Sequence, residues 1–372
     1  MKRGSYSVVS LFSGIGGLDL GFEQMQYRVV YATDVSENAT LSYQLNFGRP
    51  AVCADIRDLP MSDIPEADVV IGGPPCQSFS LVGKRLPDDA RGELVFRFLD
   101  VIREKLPRAF VMENVPGIAA SRVEGIRLTD VLRARFEDAG YQTTVMRLLA
   151  TDFLVPQRRR RVFIVGTRGR PMAAPSPQQY ARECFGVSRE EIDLSAKAAI
   201  GDLGLCAAKG DKAHYIGPPT TFLARLLRCQ ESPEGVSLHE CPRMSATDRA
   251  ILEHIPPGGN YQDIPDDIAP GRVLKFKKTG GRTTTYGRLH PDRPAYTINT
   301  YFRRPNVGCN FHYHHPRLIT AREAMRFQTL PDHFEIVYGA QDERNAFIGN
   351  AVPPLLAQAI AWSLKRAIDD LG

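Results

Sequence analysis

The sequence predicts an α/β fold: a mostly parallel, Rossmann-like sheet with helices on both faces, and a second, smaller domain. Three observations predict it. Apolar strand-like runs alternate with helix-like segments through residues 7–167, the order of repeated β-α units. That rhythm fails from Pro171, and prolines, glycines and short mixed segments follow as far as Pro316. The final stretch, 354–371, is amphipathic, with Leu355, Ile360, Leu364 and Ile368 as its apolar members, so it returns to pack on the first domain. The expected division is therefore 1–170, 171–316 and a returning segment 317–372.

In chain order, residues 7–12 form a first strand, 13–17 a glycine turn and 18–26 a helix. A second strand, 28–33, ends at Asp34, and a helix covers 37–46. A short third strand, 51–54, ends at Asp55. The run 67–71 is a buried strand that delivers the chain into Gly72-Gly73-Pro74-Pro75-Cys76-Gln77-Ser78-Phe79-Ser80. A helix follows at 93–105, then strand 109–112 ending at Glu113-Asn114, then a helix at 128–139. Residues 142–149 and 161–167 pair as strands, and 320–329 is helical.

The 372 residues are 43% hydrophobic, enough for a sizeable core. No apolar run of about 18 residues is evident, and Met1-Lys2-Arg3-Gly4 leads directly into a strand, unlike a secretory leader. Seven cysteines at irregular spacing, with no Cys-x-x-Cys pair, indicate neither a disulfide framework nor a zinc ribbon. A reducing, cytoplasmic setting is expected. The formal charge of +5 is unevenly placed: 268–317 holds ten Lys or Arg and the single acid Asp292, whereas 229–267 holds eight acids and two arginines. Tyr286, Tyr296, Tyr301 and Phe302 are interleaved with the basic run. A solvated surface explains most charge runs, but this pattern suits a polyanion better.

Four consecutive strand ends carry Asp34, Asp55, Cys76 and Glu113, and open α/β sheets bind ligands at that edge. Glycines and prolines around Cys76 present it as a nucleophile, reactive as thiolate. A lone cysteine is more often buried packing, which those neighbours disfavour. Glu113 is a proton donor or hydrogen-bond partner. The glycine turn brings a ligand close to the backbone, and Asp34, 20 residues beyond Gly14, is placed to accept ribose hydroxyls. The turn is shorter than a dinucleotide fingerprint, so a nucleoside without phosphates fits. Asp55 is a candidate for an adenine amino group, or simply a turn former. In Gln157-Arg158-Arg159-Arg160-Arg161, strand alternation would aim Gln157, Arg159 and Arg161 together.

Taken in order, these residues closely resemble the bacterial DNA (cytosine-5) methyltransferases. The matching pieces are 12–17, 74–80, Glu113-Asn114-Val115, Gln157 to Arg161, 317–328 and Gly349-Asn350-Ala351-Val352-Pro353-Pro354. The resemblance covers residues 7–168 and 317–370, and its middle is where this family places a variable target-recognition domain.

The resemblance implies that 171–316 recognises the target and that the sheet binds S-adenosyl-L-methionine. Cys76 would attack C6 of a cytosine flipped out of duplex DNA. Glu113 would bind N3 and the exocyclic amine, Arg159 would hold O2, and Arg161 would support the pocket. The implied cofactor pocket comprises Phe12, Gly14, Gly16, Asp34, Val35, Asp55, Ile56, Pro75, Leu94, Asn350 and Val352. Asp34 stands where the family often has glutamate. The loop 77–92, with Ser78, Lys84 and Arg85, would close on DNA, and Arg303 and Arg304 would reach it from the recognition domain. The implied protein is a monomer acting on double-stranded DNA, functionally paired with a restriction endonuclease and with no membrane partner. An RNA-directed enzyme of the same family is the alternative, disfavoured by the long middle region.

Overall fold

Apolar strands buried on both faces build the first unit. In the computed structural model, which describes residues 5–75, 93–228 and 235–369, seven strands form one sheet. They are β1 (Ser7–Leu11), β2 (Arg28–Asp34), β3 (Val52–Cys53), β4 (Val69–Gly72), β5 (Ala109–Asn114), β6 (Gln142–Leu149) and β7 (Arg160–Thr167). Their order is β3-β2-β1-β4-β5-β7-β6. The first five pair in parallel. β7 runs antiparallel to both neighbours. The register aligns the carboxyl ends: Leu11 lies opposite Thr33 and Gly72, Asp34 opposite Cys53, and Gly72 opposite Met112. Because β7 is antiparallel, its start rather than its end meets that edge, with Val162 opposite Asn114.

The helices are α1 (Gly17–Glu23), α2 (Glu37–Phe47), α3 (Glu93–Lys105), α4 (Leu128–Asp138), α5 (Pro177–Phe185), α6 (Ala196–Ile200), α7 (Phe222–Leu227), α8 (Ala246–Glu253), α9 (Gly271–Thr279), α10 (Ala321–Phe327), α11 (Gln341–Asn350) and α12 (Pro354–Asp369). One sheet face packs Val9, Leu11, Val70, Phe110 and Ile164 with Phe98, Leu99 and Ile102 of α3 and Leu132 and Phe136 of α4. The alternate residues Val8, Val69, Val111 and Phe163 are equally buried, so the other face is covered too. α1 lies on α12, and Tyr180 of α5 donates its hydroxyl to Leu355 O at 2.9 Å and Gln358 Oε1 at 2.8 Å.

The chain folds as two compact units. The first draws its described residues from Met1–Phe153, Arg160–Gly186 and Val352–Gly372, the second from Leu154–Arg159 and Val187–Ala351. Two segments thus fall differently from the expected division. Residues 171–186 stay with the first unit because α5, capped by Ser176 with Pro177 at its first position, docks on α12. Residues 317–351 belong to the second unit because their charged side chains are buried there. Arg326 bonds Asp332 at 2.8 and 2.6 Å and Asp202 at 2.7 Å, while Arg322 donates to Ser237 O and Phe334 O. A smaller core of Ile251, Leu252, Tyr261, Val273, Phe311 and Leu318 accompanies this network. The stretch Gln341–Asp369, in which no span was expected, is apolar and long enough by composition to cross a membrane, but its apolar window is 83% buried, as in a core helix.

Gly21 marks how closely α1 and α12 approach. A Cβ there would lie 2.5 Å from both Ala357 Cβ and Pro354 O. Gly21→Val should therefore destabilise the protein by about 1–3 kcal/mol through overpacking, seen as a lower thermal midpoint with the fold retained.

Candidate active site

The carboxyl edge of the sheet gathers the first unit's polar groups. Glu113, next to last in β5, is buried, and Arg161, at the start of β7, lies against it with Nε 2.6 Å from Oε1. Burial pulls the Arg161 guanidinium below its ordinary range, and Glu113 opposes that fall. Arg161 also donates from Nη1 to Arg160 O at 2.9 Å. Beside them, Asn114 donates from Nδ2 to Pro74 O at 2.9 Å and accepts the Val115 N–H at 2.9 Å. Asn114 so ties the end of β5 to the segment after β4. Sequence reasoning quoted Asn114 without assigning it this bond. Cys76, Ser78, Lys84 and Arg85, with the rest of loop 77–92, lie outside the described residues.

The expected common face of Gln157, Arg159 and Arg161 is not formed, because the backbone tightens twice before β7. Gln157 N–H bonds Val155 O and Arg159 N–H bonds Gln157 O, each at 2.8 Å. Residues 157–158 instead pair with Ala295–Tyr296. Arg159 is fully buried in the second unit, donating to Ile298 O at 2.9 Å and Gly349 O at 2.7 Å. Gln157 accepts the Ile298 N–H at 2.8 Å and donates to Phe327 O at 3.0 Å. The arginine expected on the base is therefore committed to main-chain carbonyls, and Arg161, expected only to support, is the one beside Glu113.

Phe12, Gly14, Gly16 and Asp34 surround the first turn. Phe12, Gly14 and Gly16 all have positive φ, a conformation that glycine adopts without strain. Asp34 accepts the Gly14 N–H at 2.8 Å on Oδ2 and the Ser36 N–H at 2.9 Å on Oδ1. Burial raises its carboxyl above the usual range, and those N–H bonds oppose the rise. Val35 next to it is 67% exposed, an apolar face beside a carboxylate with spare lone pairs. Asp55 is gripped by Arg57, with Nε at 3.0 and 3.1 Å and Nη2 at 2.5 Å, which holds its carboxyl below the usual range. Ile56 is a core residue whose carbonyl accepts Arg97 Nε at 2.9 Å. Leu94 is half-buried against the same core, Pro75 is exposed and Val352 is buried. Asn350 ends α11, exposed, in the second unit.

Sequence reasoning missed Asp19. Its carboxylate is fully buried, accepting Ser10 Oγ at 3.0 Å and Tyr43 OH at 2.9 Å. Burial pushes the carboxyl up to about 6, and the hydrogen bonds from Ser10 and Tyr43 favour its ionised form against that rise. An acid between Leu18 and Leu20 in an otherwise apolar helix face was the available signal.

In the second unit, Arg303 is half-buried, with the Gln341 amide oxygen turned to accept its Nη2 at 3.2 Å and Nη1 at 2.5 Å. Arg304 is exposed, 4.7 Å over the Tyr301 ring and 3.7 Å from Asp342. A second exposed pair, Arg158 over Tyr296 at 5.9 Å, lies in the same unit.

Residues 6–366 match the family model of the C-5 cytosine-specific DNA methylases. The chain belongs to that family. Its relatives include the type II methyltransferase M.NgoFVII of Neisseria gonorrhoeae, 34% identical across 98% of this chain and 87% of the relative. M.XorII of Xanthomonas oryzae is also 34% identical, across 97% and 84%. Among solved structures, a prophage-encoded DNA modification methyltransferase of E. coli shares the fold with TM-score 0.72 and 24% identity, covering 98% and 100% of the two chains. The S. pombe Dnmt2 methyltransferase shares it at 0.63 and 17%, covering 97% and 99%. Family and relatives make the chain a DNA (cytosine-5)-methyltransferase of the restriction-modification type.

Removing one partner of a buried ion pair leaves the other charge desolvated and unbalanced. Arg161→Ala should therefore cost about 3 kcal/mol of folding stability. Glu113→Gln introduced into that variant should recover a large part, as a double-mutant cycle by denaturant unfolding will read out.

Proposed function

We propose that the enzyme uses S-adenosyl-L-methionine to methylate C5 of a cytosine flipped out of a specific duplex sequence. The observation that carries the reading is the buried Glu113–Arg161 pair at the sheet's carboxyl edge, next to the strand end whose Pro74 is held by Asn114. A base outside the stack has a Watson–Crick edge to be read. A carboxyl group and a guanidinium side by side suit that edge: Glu113 meets N3 and the exocyclic amine, and Arg161 meets the O2 carbonyl. Arg161 takes the part first expected of Arg159.

C5 of cytosine is a weak nucleophile, and covalent addition splits the difficult step. The Cys76 thiolate adds to C6 as the Glu113 carboxyl, in its protonated form, gives its proton to N3, so the ring carries no net charge; the proton returns to Glu113 when the thiolate leaves. C5 then carries electron density. When bound, S-adenosyl-L-methionine supplies an electrophilic methyl group. Loss of the C5 proton to a base and departure of the thiolate from C6 restore the aromatic ring. The first unit's own residues suit that cofactor: Asp34 has acceptor capacity for ribose hydroxyls, Val35 offers an apolar face for adenine, and Gly14 has open space where a Cβ would point. Asp55 would serve adenine only while also holding Arg57.

The second unit supplies target recognition. Exposed Arg304 stacked on Tyr301, and Arg158 on Tyr296, present cations with aromatic faces, the pairing that suits DNA phosphates and base edges. Arg303, held by Gln341, orders the segment rather than reaching out. The enzyme acts as a monomer, paired in the cell with an endonuclease of the same target.

Cys76→Ser should abolish methyl transfer while leaving DNA and cofactor binding largely intact, since a serine hydroxyl is hardly ionised at neutral pH. DNA with 5-fluorocytosine at the target should trap a covalent adduct with the native protein on denaturing electrophoresis. An adduct that persists in Cys76→Ser would overturn the assignment.

For DNA binding, Arg304→Ala should weaken affinity and Arg303→Ala should chiefly lower thermal stability. If Arg304 meets a phosphate, the salt slope of log affinity falls by about one in the Arg304 variant for every sequence alike. If it reads a base, one target position relaxes by about 1–3 kcal/mol instead. Binding to single-base variants at two salt concentrations separates these outcomes, and unchanged binding throughout removes Arg304 from the interface.

A further inference from the structure

We propose that Asp19 is a specificity-determining residue that tunes the cofactor site to a cationic adenosyl compound and against a nucleotide phosphate. The inference rests on the reading of residues 12–17 as the cofactor turn.

The turn has acidic groups on both flanks. On one side Asp34 accepts the Gly14 N–H. On the other, Asp19 is held from two elements, by Ser10 Oγ of β1 and Tyr43 OH of α2. Tyr43 and Phe47 stack with ring centroids 4.3 Å apart. They pack directly against the turn: a Cβ on Gly16 would come within 2.3 Å of Phe47 and 3.0 Å of Tyr43. Tyr43 therefore touches both the Asp19 carboxylate and the turn.

Two of the turn's amides are engaged within the protein. Gly14 N–H goes to Asp34, and Gly16 N–H goes to Ser13 O at 2.9 Å. A phosphate-cradling turn requires the opposite, free amides with no carboxylate behind them. The cation joined to this cluster is Arg49. It bonds Tyr43 OH at 3.1 Å and Glu23 at 2.6 Å, so Glu23 shares its charge and the cluster stays negative. Fixed charges in a low-dielectric interior act over several ångströms. S-adenosylmethionine carries one more positive charge than S-adenosylhomocysteine, its demethylated product, and the two are otherwise nearly identical. Asp19 favours the donor over the product, which aids exchange after each turnover.

The test is calorimetric binding of both compounds to the full-length protein, native, D19N and Y43F. D19N removes the charge with nearly the same shape. It should lower affinity for S-adenosylmethionine relative to S-adenosylhomocysteine several-fold, since only the first carries the extra positive charge that Asp19 attracts. Y43F keeps the charge and loses one hydroxyl, so it should move both affinities by the same factor. A D19N variant that weakens both compounds equally overturns the proposal, because a merely structural role has that signature. A second arm needs no variant: the native protein should bind adenosine more tightly than adenosine 5′-monophosphate, and equal or tighter binding of the phosphate overturns the proposal too. Native protein that binds neither S-adenosylmethionine nor S-adenosylhomocysteine would instead defeat the cofactor reading, and the proposal with it.

Discussion

A guanidinium cannot shed its charge to enter a protein interior, so each buried arginine forces the chain around it to supply acceptors. Two such arginines, Arg159 and Arg161, stand two residues apart, the first in the second unit and the other in the first. Arg161 finds Glu113 on the neighbouring strand of the first unit. Arg159 donates within the second unit to Gly349 O at the end of α11, to Ile298 O just beyond the pair 295–296, and more distantly to Gln157 Oε1. Those partners fix where Asn350 and the Tyr296–Tyr301 segment begin. The sharp backbone turns at Gln157 and Arg159 send one arginine to each unit.

The second unit repeats the same physics on a larger scale. Arg322 and Arg326 are both fully buried, and the acceptors that satisfy them come from residues 199, 202, 237, 332 and 334. Such a network is sensitive to the loss of any one member, since what remains is a charge without solvent. Its value lies in fixing one arrangement of short helices and loops that hold few regular strands. A surface made of loops needs that kind of support if Arg304 and Tyr301 are to be presented in one geometry.

Around the glycine turn 13–17 the balance is electrostatic. Asp19 and Asp34 lie on either flank, and each is driven up in pKa by burial. Keeping a carboxylate ionised in such a place costs stability, and hydrogen bonds from Ser10, Tyr43, Gly14 and Ser36 offset part of that cost. Burial of this kind is characteristic of functional sites. It links the fold's stability to the charge of the ligand it holds.

The sequence by itself determined the α/β class, the strand ends carrying Asp34, Asp55 and Glu113, and the family, because these depend on local patterns. Apolar runs ending in glycine or an acid mark a parallel strand wherever its neighbours lie, and short motifs in fixed order are specific. The helix after Ser176 and the buried acid at position 19 emerged only from the structure, because what holds them lies on other elements, α12 for the first and Ser10 and Tyr43 for the second. Tertiary structure alone decided which arginine meets Glu113, that Arg303 is held while Arg304 is presented, and that residues 317–351 fold with the second unit. Each of these depends on a partner distant in sequence, 38 residues away for Arg303 and 124 for Arg326, or on a local break in strand alternation. A periodic pattern carries the direction of a side chain only while the strand continues, and at Arg159 it does not.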